Sequence, residues 1–285
     1  MKKRTLWRVD GNHQCRCFVR QIGVIYMDDE NIIERMCQAS EHLMELWSLP
    51  PQMENYDDGM CAWIKPQKGT NGAEYVYRMD FGNKSSDEIR SLIQSFLEMG
   101  APKYWLVTPS TNPQSVHDIL IDMGLMRPKT DDFGLSMAML PDQIIHNHFK
   151  RDIEKIKTPV KRINSKDDFL FWCEINNKEL CGYEQFTADV YYPLCESGEM
   201  ACFLAYYDDI PVAASAAITY NGTYSLEFVS TLHHYRRKGM GTAVSIAAMD
   251  YLVNNGADLL IVGASPMGVP LYKRLGFKAY YKVYF

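Results

Sequence analysis

The feature that most limits how this chain can fold is a six-residue turn near its C-terminus, Arg236-Arg237-Lys238-Gly239-Met240-Gly241. It joins a run with strand character, residues 223–231, to a run with helix character, residues 242–254. The first N–H groups of a helix have no intrahelical acceptor, so a turn of this kind presents unpaired donors at the helix start. Gly239 and Gly241 carry no Cβ, which lets the backbone take positive φ and come close to a ligand. The N–H groups that open the helix, at Met240, Gly241 and Thr242, are then free to bind anionic oxygens. Arg236, Arg237 and Lys238 add positive charge at the same spot.

So short a pattern takes its meaning from its surroundings. Downstream, residues 258–263 read as a short buried strand and Ala264-Ser265-Pro266-Met267-Gly268 as a loop. Residues 269–275 read as a short helix closed by Gly276, and a β-rich run follows to the end of the sequence. These residues resemble the GCN5-related N-acetyltransferase (GNAT) superfamily. Its acetyl-CoA motif, R/Q-x-x-G-x-G/A after a central strand, is matched by Arg236, Gly239 and Gly241. Its following motif, Leu-Tyr-x-x-x-Gly-Phe, is matched by Leu271-Tyr272-Lys273-Arg274-Leu275-Gly276-Phe277. The chain is also similar to a bacterial subgroup with Ser-Pro-Met-Gly in the second motif and Val-x-Thr ending the central strand, here Val229-Ser230-Thr231. It departs from the family where many members carry an Asn that contacts the cofactor arm. Ala264-Ser265 stands there, and the Ser265 hydroxyl can both donate and accept.

The resemblance implies acetyl-CoA as cosubstrate, no metal, and acetyl transfer to a primary amine of a small molecule or a protein. It assigns the pantetheine arm and the thioester carbonyl to the backbone of Val229, Ser230 and Thr231, and the pyrophosphate to residues 236–242. It makes Tyr272 the acid that protonates the departing sulfur. The base is read from strand alternation instead: Glu227 lies four residues before Thr231 and so shares a face with it and with Val229, within reach of an acceptor directly or through water. A solvated or cross-strand-paired carboxylate is the other reading of Glu227.

The second half orders itself as helices at residues 165–180 and 187–196, then strands at 200–207, 211–220 and 223–231. Asp208-Asp209 and Asn221-Gly222 are hairpin turn signals, and Ser165 with Asp168 forms a capping pair. The first half has a similar rhythm: a helix at 30–47, strands at 60–66 and 74–81, a helix at 87–98, a strand at 103–108, a short helix at 114–123 and a strand at 133–140. The fold class expected is α/β, with two tandem GNAT-like domains, each a mixed, mostly antiparallel central sheet flanked by helices. The first, residues 1–150, is a degenerate copy: its loop Phe81-Gly82-Asn83-Lys84-Ser85-Ser86 lacks R-x-x-G-x-G, and Ser85 or Ser86 as N-cap would occupy the helix N–H groups. The catalytic domain is residues 158–285, with a linker at 141–160.

Composition limits the partners. A chain of 285 residues with net charge −5 has no global attraction to nucleic acid or to an anionic membrane. No apolar run approaches the ~18 residues of a membrane helix. The basic N-terminus lacks the apolar stretch and cleavage site of a signal peptide, so a cytoplasmic protein is expected. Eight cysteines without a C-x-x-C pair suit reduced thiols rather than a disulfide frame or a zinc site. A P-loop motif is missing, which argues against nucleoside triphosphate binding. The reading from another class is a non-catalytic acyl-CoA-binding regulatory or scaffold protein; the intact Arg236, Gly239, Gly241 and Tyr272 weigh against it.

Overall fold

A computed structural model describes residues 4–9, 15–20, 28–127, 133–140 and 158–284. Two strands at the N-terminus, β1 (Arg4–Val9) and β2 (Cys15–Arg20), pair antiparallel as a separate hairpin. Helix α1 (Asp29–Trp47) follows, started by Asp28, whose carboxylate accepts the Asn31 N–H at 2.9 Å. Strands β3 (Met53–Asp57), β4 (Cys61–Pro66) and β5 (Tyr75–Met79) form an antiparallel sheet, and α2 (Ser86–Glu98) and α3 (Val116–Asp122) come next. The strand expected at 103–108 is reduced to a single parallel bridge, Val76 to Trp105, in which the Val76 N–H donates to the Tyr104 carbonyl and the Leu106 N–H to that of Val76.

The second half adds β7 (Val160–Arg162), α4 (Lys166–Asn176), α5 (Ala188–Ser197), β8 (Met200–Tyr207), β9 (Ile210–Tyr220), β10 (Thr223–Thr231), α6 (Met240–Asn254), β11 (Leu260–Ala264), α7 (Val269–Leu275) and β12 (Lys278–Tyr284). Both hairpins turn where expected, with Asp208 and Asp209 at φ 50° and 63° and Asn221 and Gly222 at φ 46° and 78°. A π-helical turn, Asn177–Cys181, extends α4 and ends at Gly182.

The strand expected to close the first half's sheet, now β6 (Phe133–Met139), lies in the other sheet. The seven-stranded order is β12-β6-β11-β10-β9-β8-β7, with β6 antiparallel to both β11 and β12. The passage from β11 through α7 to β12 is a crossover that leaves a gap one strand wide, and β6 fills it. Alternation identifies such a strand but carries no information about which sheet receives it. Of the linker expected at 141–160, only residues 158–160 fall among those described, and the side chains of Cys15 and Cys17 lie outside them.

Two helical layers cover this sheet. Leu252, Met249 and Ile246 of α6 pack with Tyr272 and Leu275 of α7 on one face. On the other, Phe169 and Trp172 of α4 and Tyr191 of α5 pack with Leu46 of α1 against Ala214 and Ala216 of β9. Further along that helix, Ile32, Met36 and Ala39 cover Ala138, Leu259 and Ile261. The first half therefore supplies a strand and a covering helix to the second half's sheet.

Candidate active site

Strands β10 and β11 run parallel but share one register pair, Ser225 with Ile261, after which they part. β10 stays bonded to β9 as far as Thr231 opposite Ala213. An opening therefore forms on the β11 side of the last residues of β10, next to the start of α6.

The turn that follows β10 holds its shape through two left-handed residues, Arg237 at φ 60° and Gly239 at φ 85°. Gly239 is the N-cap of α6 and supplies no side chain to its N–H groups. The Met240 side chain is buried in the core, so that residue offers only backbone to the site. Gly241 does not take positive φ as the sequence suggested: it is helical, and its lack of a Cβ matters for space. A Cβ there would stand 3.3 Å from the Thr231 hydroxyl. Thr242 completes the first turn of the helix.

The charges of the turn divide their tasks. Arg236 is already paired: its guanidinium donates to Glu179 at 2.6 Å and its Nε to the Thr231 carbonyl at 3.1 Å. Glu179, on the π-helical turn, also accepts the His233 N–H at 3.1 Å, so Arg236 fastens the turn rather than adding free charge. Lys238 lies over the rings of Tyr207 and Tyr235, 4.7 and 5.2 Å from their centroids. A left-handed Arg237, an uncapped helix and a glycine where a side chain would intrude fit a pyrophosphate.

The central strand departs from simple alternation. Between the pairs Glu227 with Ala216 and Ser230 with Ala214, β10 holds one residue more than β9, and Phe228 sits at φ 53°. The bulge moves Glu227 onto the face of Ser230, away from Val229 and Thr231, which corrects the face assigned from sequence. Val229 packs toward α6 and α7, and Thr231 faces Gly241. Ser230 donates to the Asn176 side-chain oxygen at 2.8 Å in a fully buried pair. A left-handed Phe is strained by ~1–3 kcal/mol. Its ring is held by the edges of Phe186, Trp172 and Trp47, at centroid distances of 4.9, 5.6 and 6.0 Å.

Glu227 is 8% exposed, and burial pushes its carboxyl up to about 8, partly offset by the Ser225 side chain two residues back. Tyr272 enters from α7 on the opposite side and is also buried; burial first, and then the charge of Glu227, push its phenol well above the ordinary range. Its hydroxyl has no hydrogen-bond partner among the described residues. Gly268 makes room for its ring, since a Cβ there would stand 3.0 Å from Tyr272 Cε2. Ser265 is exposed and accepts the Gly268 N–H at 3.3 Å, which leaves its own O–H available. Trp172, Phe186 and Tyr191, on the same side of the sheet as Ser230, are buried in the core. Sequence reasoning missed Glu179, Asn176, Phe228 and Gly268. A bulge and a π-helical turn leave no mark in periodicity, although Gly268 sits inside the recognised loop.

In the first half, Ser85 and Glu88 close a full capping box over α2, so the equivalent helix start is already satisfied. Among the described residues no group of His, Cys, Asp and Glu could hold a metal ion, and no helix is long and apolar enough to cross a membrane.

An uncapped helix start thus lies beside the parted strands β10 and β11, with the buried Tyr272 and Glu227 near the opening. The family profile for the acetyltransferase (GNAT) domain matches residues 174–284. A GCN5-related N-acetyltransferase from Kribbella flavida is similar in fold, with TM-score 0.59 at 16% identity over 87% of this chain and 93% of that one. A tandem GNAT protein from the clavulanic acid biosynthesis pathway gives TM-score 0.51 at 11% identity over the same shares, 87% and 93%. No curated protein matches the sequence. The match to the GNAT domain is confined to residues 174–284, and the likeness in fold to those two structures extends over most of the chain.

Proposed function

We propose that the protein transfers an acetyl group from acetyl-CoA to a primary amine of a small molecule or a protein, with the chemistry confined to the second half. The observation that carries this reading is the opening where β10 parts from β11, with the buried carboxyl of Glu227 on one side and the buried phenol of Tyr272 on the other, near enough for the charge of Glu227 to act on that phenol. An alkyl ammonium must lose a proton before it can attack, and the leaving thiolate must gain one. Glu227 suits the first task, because its pKa lies nearer to that of an amine than an ordinary carboxylate's does. Tyr272 suits the second, because its phenol is still protonated when Glu227 is not. The N–H groups of Met240, Gly241 and Thr242 would hold the pyrophosphate, with Arg237 and Lys238 beside them. The backbone of Val229, Ser230 and Thr231 borders the opening where the pantetheine arm would lie and the thioester carbonyl would be polarised. Ser265 would reach the same arm from the loop before α7.

The test is a panel of small amines and N-terminal peptides incubated with the full-length protein and acetyl-CoA, with CoA release as readout. Acetyl-CoA binding by calorimetry accompanied by acceptor-dependent release supports the transferase. Binding with no release from any amine favours the regulatory or scaffold reading, and no binding removes both.

A further inference from the structure

We propose that Cys195 and Cys202 form a thiol–disulfide exchange site that reacts with small-molecule disulfides and reversibly fastens α5 to β8. Their sulfurs lie 3.8 Å apart. A disulfide needs about 2.0 Å, a closure that side-chain rotation near a helix end can supply. Cys195 lies two residues before the end of α5, which stops at Gly198 in the left-handed region. The partner is fixed in the sheet: Cys202 pairs with Ala216 in the middle of β8 and is fully buried.

The settings of the two thiols divide the work. Cys195 is partly exposed, and its thiol is held below the ordinary range by the hydrogen bond with Cys202, against the pull of burial and with help from the Arg162 charge on β7. Cys202 is pushed well above that range by burial. A partly exposed thiol near an arginine attacks, whereas a buried one waits until a disulfide is placed beside it. Cys173 on α4 is the third thiol nearby, and burial pushes it up to about 12.

With oxidised glutathione as the disulfide, the Cys195 thiolate attacks one sulfur, the glutathione S–S bond breaks, and the released thiolate takes up the proton that Cys195 gave up. Cys202 then loses its proton, attacks the Cys195 sulfur and expels the second glutathione as a thiol. Two protein thiols are oxidised to one disulfide, and one glutathione disulfide is reduced to two thiols. The site involves neither Glu227 nor Tyr272, so it stands or falls apart from the transferase reading.

The experiment treats the full-length protein with oxidised glutathione, alkylates the remaining thiols, and maps peptides by mass spectrometry. A Cys195–Cys202 crosslink with loss of two hydrogens, reversed by dithiothreitol, is the expected result. Cys202→Ser should stop at a glutathione adduct on Cys195, and Cys195→Ser should give neither crosslink nor adduct at Cys202. Both thiols alkylated without a crosslink in the wild-type protein would overturn the proposal. So would a crosslink through Cys173, or an adduct on Cys202 in Cys195→Ser.

Discussion

At the scale of single residues, Glu227 is the group whose behaviour is easiest to separate from everything around it. In the unfolded chain it titrates at its ordinary value of 4.5, and in the folded protein at about 8. Between those values the folded state keeps a proton that the unfolded state has lost. Its contribution to stability is therefore complete below the ordinary range and is lost as pH rises through about 8. A Glu227→Gln variant has no such loss. Chemical denaturation across that window should show the wild-type protein losing on the order of a few kcal/mol relative to the variant, and parallel curves would place the carboxyl in water. In an acceptor assay the same group should set an acid limb near 8 that Glu227→Gln abolishes. Tyr272 gives a different signature. Removing its hydroxyl in Tyr272→Phe keeps the ring against Phe277 and Leu275, so acetyl-CoA affinity should hold while kcat falls by ~10²- to 10⁴-fold. A full rate where chemistry limits turnover would return this residue to packing alone.

The elements show where sequence was sufficient and where it ran out. The two hairpins of the second half and the succession of its elements along the chain were legible because each is encoded by local turn chemistry and periodicity, as Asn221-Gly222 illustrates, whereas β1, β2, β3 and the sheet that receives β6 were not. The bulge was not, because Phe228 is held left-handed by rings from three separate segments, one of them Trp47 of α1. Trp47→Ala should therefore cost on the order of 3 kcal/mol and lower kcat more than acetyl-CoA affinity, whereas Trp47→Phe keeps much of both. Equal losses in both variants would make the contact incidental to β10. The turn before α6 was half legible: its glycines mark the site, but only the structure shows that Gly239 needs its φ and Gly241 its space. In Gly241→Val the added carbons meet Thr231 from a position 3.3 Å away and crowd the helix start. Stability should change by ~1–3 kcal/mol at most, while calorimetry should detect no acetyl-CoA binding; unaltered affinity would remove the turn from the cofactor's path.

For the molecule as a whole, the interdigitation of the halves decides what can be cut. The sequence marks residues 158–285 as a complete unit, and the recognised motifs all fall inside it. Yet β6 makes five register pairs with β11, from Leu260 opposite Met139 to Ala264 opposite Leu135, and six with β12. Its Met137, Ala138 and Met139 are 0–1% exposed, so excision would open the core on both faces. Leu259 and Ile261 would also lose their cover from α1. Two unpaired strand edges flanking an apolar gap invite aggregation. A fragment of residues 158–285 is thus expected to lack a cooperative thermal transition and to bind no acetyl-CoA. Supplying residues 28–140 as a separate chain should restore both, because that piece carries β6 and α1 together. A fragment that unfolds cooperatively by itself and binds acetyl-CoA as tightly as the full chain would show that β6 is dispensable, and the first half would then need another reason for its place in the protein.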